Sequence, residues 1–107
     1  MTITKTEHLS KRLSKRCHLN KSAQDGFLEK AYKTGLRLDD IKHKPTVYNY
    51  VKSVTRPNCY TIIYKQYILI LSKKDNIGIT ILNIPKDYIK IIYKLYKEEK
   101  TNDSRTS

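Results

Sequence analysis

At 107 residues the chain is the size of one domain, and a domain of this size hides only about two thirds of its unfolded surface, so its margin of stability is small. Lys and Arg number 22 against 10 Asp and Glu, a net charge of +12, which directs attention to a polyanionic partner, either nucleic acid or an anionic surface. No apolar run approaches the roughly 20 residues needed to cross a bilayer.

The charge is spread evenly. Residues 1–44 carry 11 basic and 5 acidic groups, and residues 45–107 carry the same numbers. Ile, Lys, Asn and Tyr are all abundant, as in AT-rich coding, so part of the excess reflects codon usage. The opening MTITKTEH has no secretory apolar stretch, which makes a cytosolic setting the expectation. Cys17 and Cys59 are far apart and form no CxxC pair. They read as two free thiols, with a bridge between them left open, and no metal or cofactor is expected.

Taken in order, Thr2 to Thr4 form either a short edge strand or a frayed end. Thr6 suits the cap of a first helix, KTEHLSKRLSKRC, in which Leu9, Leu13 and Cys17 make one narrow apolar stripe. His8, Arg12 and Arg16 recur every four residues in a row beside that stripe. Ser10, Lys11, Ser14 and Lys15 fall on the opposite side. If the leucines rest on a sheet, the His/Arg row borders a groove between helix and sheet.

Asn20 or Ser22 caps a second helix with Ala23, Phe27, Leu28, Ala31 and Tyr32 as its apolar face, and Gly35 ends it in the usual position after the last turn. Gly26 within it costs about 1 kcal/mol relative to Ala, so it either allows close packing or marks an imperfect helix. Leu36 to Lys44 reads as a loop or a single turn. Pro45 suits the start of a short helix with Val47, Tyr50, Val51 and Val54 on one face, although the β-branched content leaves a strand open.

The densest run of strand formers is CYTIIYKQYILILSKKDNIGITILNIP, Cys59 to Pro85. Lys65-Gln66 and Lys73-Lys74-Asp75-Asn76 divide it into three antiparallel strands joined by hairpins. The middle strand, Tyr67 to Leu71, lacks polar alternation and is expected to be covered on both faces. In the third strand, alternation puts Ile77, Ile79 and Ile81 on one face and Gly78, Thr80 and Leu82 on the other. Thr80 is its only hydroxyl, and the missing side chain of Gly78 leaves space for a phosphate beside it. Pro85 opens a last helix packed through Tyr88, Ile91, Ile92 and Leu95, with Lys86, Lys90, Lys94 and Lys97 as a basic row. The expected class is therefore α+β: N-terminal helices on a small antiparallel sheet of three to four strands, a C-terminal helix, one domain over residues 1–100, and a disordered polar tail over 101–107.

The pattern HxxxRxxxR at His8, Arg12 and Arg16, followed by two short helices and hairpin strands ending in ITILNIP, resembles the BECR superfamily, which includes RelE-like toxins, barnase-like enzymes and colicin-type toxin nucleases. The layout KR…LNK…AxxxG…IY…YILI…ITILNIP also resembles that of small proteins of AT-rich firmicutes and their phages. The resemblance implies metal-independent RNA cleavage by a His, Arg or Lys residues and a hydroxyl on the sheet, and by position that set is His8, Arg12, Arg16 and Thr80. In such chemistry the RNA's own 2′-OH attacks the neighbouring phosphorus, which DNA cannot do. A histidine, with an ordinary pKa of about 6.5, suits the proton transfer, and arginines suit the phosphate oxygens. Lys11, Lys15, Tyr64 and Tyr67 are candidate nucleic-acid contacts, either tyrosine doubling as a second proton carrier. The sequence thus carries two functional expectations: a toxin-like endoribonuclease, or a non-catalytic phage or mobile-element protein that binds RNA or a ribonucleoprotein and inhibits a host defence nuclease. An antitoxin or host nuclease is the corresponding protein partner. A metal site at His18 or His43 is not expected, since neither has partners at ligand spacing.

Overall fold

The computed structural model describes residues 3–106, with side chains described for residues 3–97. Four strands, β1 (Thr4–Lys5), β2 (Cys59–Tyr64), β3 (Tyr67–Ser72) and β4 (Ile77–Asn83), form one sheet in the order β1-β4-β3-β2. The three long strands are antiparallel neighbours, and β1 adds a parallel edge to β4. The helices are α1 (Glu7–Cys17), α2 (Lys21–Thr34), α3 (Pro45–Val54) and α4 (Lys86–Thr106). The expected α+β class is the one observed. The short edge strand, Thr4–Lys5, overlaps its expected span only at Thr4, and Thr2 is outside the described residues. The backbone of α4 is helical to Thr106, through residues expected as a polar tail, whose side chains are not among those described.

Alternation along the hairpin sorts the core into two layers. Ile62, Tyr64, Leu69, Leu71 and Ile81 pack with Leu9 and Leu13 of α1 and with Leu28 and Ala31 of α2. Ile63, Ile68, Ile70 and Ile84 pack with Val47 and Val51 of α3 and with Ile92 and Leu95 of α4. Because both faces are covered, Ile68 to Leu71 are at most 1% exposed, which is why β3 shows no polar alternation. The run from Pro45 is a helix, since its valines at i and i+4 bury against that second layer.

Between α2 and α3, Leu36 pairs with Ile63 and so covers the outer edge of β2. A 3₁₀ turn, Leu38–Ile41, follows, with Asp40 accepting from the Arg37 backbone N–H at 2.8 Å. Gly35 does cap α2, but its φ of −70° is open to any residue. Its role is close approach, because a Cβ there would overlap Ile62 Cγ2. Gly26 lies in unbroken helix, and a Cβ there would meet nothing within 4 Å.

One irregularity positions the site. Ile70 pairs with Thr80 but Leu71 pairs with Gly78, so β4 carries one extra residue in a bulge. The extra residue corrects the expected alternation: Ile81 returns to the α1 side with Gly78, while Ile79 and Leu82 join the opposite layer. A bulge is invisible to a period-two reading because it is a property of the pairing and not of the strand alone.

Candidate nucleic-acid interface along α1

Thr6 fastens the start of α1 in two directions. Its side chain accepts from the Leu9 N–H at 3.1 Å as the helix cap, and its hydroxyl donates to the Gly78 carbonyl of β4 at 3.1 Å. The first turn is thereby held over the bulged part of β4. Leu9 and Leu13 are fully buried there, and the polar row beside them has a defined height above the sheet.

Within that frame, His8 Nε2 lies 3.3 Å from Thr80 Oγ1. Thr80 is 3% exposed and His8 is exposed, so a buried hydroxyl holds one ring nitrogen of a surface imidazole. Farther along, Arg16 Nη1 donates to the Ile81 carbonyl at 3.1 Å, which ties the guanidinium to β4. The Tyr67 hydroxyl donates to the Arg16 carbonyl at 3.3 Å and closes the C-terminal end of α1 onto β3. Arg12 is half-buried between these two anchored residues.

His8, Lys11, Arg12, Lys15 and Arg16 line one groove of about 500 Å³. The lysines expected on the far side of α1 border the same groove as the His/Arg row, since the two rows adjoin on the helix surface. No carboxylate is among its lining residues. Glu7, the nearest in sequence, pairs with Lys11 at 3.7 Å on an exposed face, where such a pair contributes little.

The remaining expected site residues are placed differently. Thr80 is not part of the groove lining; it touches the groove only through His8. The space expected at Gly78 is filled, because Leu9 Cδ2 and Ile3 Cγ2 occupy the position where a side chain would project. Tyr64 is buried with its ring edge-on to Phe27 at 5.2 Å, and Tyr67 meets the same ring at 6.2 Å. Tyr67 bonds the Arg16 carbonyl, eight residues or about 12 Å along α1 from His8, and neither tyrosine lines the groove. Among the described residues, no three His, Cys, Asp or Glu side chains gather as a metal-holding group, and no helix is long and apolar enough to cross a membrane.

Sequence reasoning missed Gln24. It is 1% exposed, accepts from Lys5 Nζ and Ser10 Oγ, and donates to the carbonyls of Ser10 and Leu19. It pins α2 to α1 and so supports the groove from behind. Compared with protein-family models, curated proteins and solved structures, the chain matches none.

Proposed function

We propose that the protein binds RNA along α1 and cleaves it as a metal-independent endoribonuclease of the BECR kind, acting in the cytosol of a bacterial host cell. The observation that carries this reading is the groove itself: four Lys and Arg side chains and one imidazole on one face, without a carboxylate, and with the imidazole backed by a buried hydroxyl. Guanidinium and ammonium groups at that density suit consecutive backbone phosphates. Thr80 holds Nε2 of His8, and the other ring nitrogen takes the proton of a 2′-OH. The freed oxygen bonds to the adjacent phosphorus, the bond from phosphorus to the 5′-oxygen breaks, and that oxygen takes a proton from solvent. The products are a 2′,3′-cyclic phosphate and a 5′-hydroxyl. Arg12 and Lys11, on either side of His8, offset the charge that gathers on the phosphoryl oxygens.

A second reading has its own support. His8 is the only imidazole lining the groove, the other four side chains being Lys and Arg, so no second acid/base partner for the other proton transfer stands there. A protein that only grips RNA or a ribonucleoprotein, for example to inhibit a host defence nuclease, needs none. Incubating the protein with RNA in EDTA separates the two. Cleavage that falls about 10²- to 10⁴-fold in His8→Ala, and less in Thr80→Val, supports the enzyme. Intact RNA that shifts on a gel, with affinity falling as salt rises, supports the binder.

A further inference from the structure

We infer that the hollow beyond the C-terminal end of α1 is a nucleobase subsite, which takes one unpaired base of the same RNA whose phosphates follow the groove; this rests on the RNA reading above. The hollow, about 240 Å³, is lined by Cys17, Phe27, Lys65, Gln66, Tyr67 and Tyr93, with Leu19 beside them. It begins where the groove stops. Arg16 is the last groove residue, Cys17 is the first of the hollow, and the Tyr67 hydroxyl is bonded to the Arg16 carbonyl between them. A strand leaving the groove at Arg16 therefore arrives at this opening.

The chemistry changes at that boundary from charge to aromatic surface. Phe27 and Tyr67 in the lining of the hollow meet edge to face at 6.2 Å, and Phe27 is also braced edge-on against the buried Tyr64 at 5.2 Å. Tyr93, from the opposite helix layer, is 50% exposed and is the one large apolar side chain left exposed among the described residues. It lines both this hollow and a second of about 220 Å³, formed with Ile63, Tyr64, Lys65, Ile92 and Tyr96, and Lys65 is common to the two. Lys65, at the β2–β3 turn with φ 55°, puts its ammonium 5.6 Å from the centre of the Tyr64 ring, leaving positive charge at the rim. An aromatic wall with a cation at its edge, continuous with a phosphate-binding groove, fits a flat base stacked beside its own backbone. Only an unpaired strand can turn a base into it.

The test measures binding of a 2′-O-methyl RNA oligonucleotide, which cannot undergo transesterification, and of inorganic polyphosphate, which has no bases. Tyr93 is at the surface, so its variants keep the fold, which melting temperature verifies. Tyr93→Ala is expected to weaken the oligonucleotide about 5- to 100-fold, as removal of one stacking ring does, and to leave polyphosphate binding and the salt dependence unchanged. Tyr93→Phe is expected to retain the wild-type affinity. Equal loss on both ligands, or no loss on either, overturns the base subsite while the groove stands. Wild-type protein that binds neither ligand overturns the groove and the subsite with it.

Discussion

Leu9 of α1 lies directly on Gly78 of β4, and a Cβ added to that glycine would overlap Leu9 Cδ2 and press on Ile3 Cγ2 at 3.2 Å. The glycine admits the helix, and through it sets the distance from α1 to the sheet on which the His8–Thr80 contact depends. Leu9 is fully buried and cannot swing aside. Gly78→Ala is therefore expected to destabilise the fold by about 1–3 kcal/mol, as overpacking in a core does. Urea unfolding measures it, and an unchanged midpoint would mean that α1 rides on β4 with slack.

Gln24 uses both ends of its amide at once between α1 and α2. Gln24→Leu keeps much of the volume but strips partners from Ser10 and from the Leu19 carbonyl. A loss of about 1–3 kcal/mol is expected, the penalty of buried polar groups left unpaired. Thermal or denaturant melts check it, with Ser10→Ala as a smaller step along the same path.

Gly26 is the opposite case, an exposed glycine in continuous helix with open space where a side chain would go. Gly26→Ala is expected to stabilise the protein by about 0.5–1 kcal/mol, because alanine loses less backbone freedom on folding. A lower melting temperature in that variant would contradict the geometry.

Alkaline stability has a definite sign. Burial raises the Cys17 thiol, partly offset by its hydrogen bond with Tyr67 and by Arg16, and burial likewise raises the Tyr60 phenol against the influence of Arg37. Both groups hold their protons more tightly in the folded chain than in the unfolded one. Their contribution is fully present below the ordinary values of 9.0 and 10.0 and is lost as pH rises through the folded values. Denaturant midpoints between about pH 8 and 11 should fall less steeply in the Cys17→Ala, Tyr60→Phe double variant than in the parent chain.

Much of this was legible from residue order. Thr6 caps α1 as expected and, of the two candidates for α2, Asn20 and not Ser22 is the cap, because a short polar side chain just ahead of an apolar stripe competes for the free N–H groups of the first turn. The His/Arg row does flank the buried stripe, since spacing of four follows directly from 3.6 residues per turn. Gly78 was misread, because an absent side chain looks the same whether a ligand or a leucine fills the space. Gln24 was passed over because a glutamine on a helix is usually solvated, and only the neighbouring helix makes it a staple.

Local order by itself determined where α1, α2 and the three long strands run, which residues share a helical face, and that one face of α1 is basic beside an apolar stripe, whereas it left the run from Pro45 open between helix and strand. These follow from backbone geometry repeated over a few residues. The tertiary structure decided which strand α1 rests on, the bulge that returns Ile81 to its side, the pairing of His8 with Thr80 across 72 residues, and the meeting of Cys17, Tyr67 and Tyr93 in one hollow. Those relationships join parts of the chain with no local signal in common, and they exist only because burying apolar surface on both faces of a single sheet brings distant segments together.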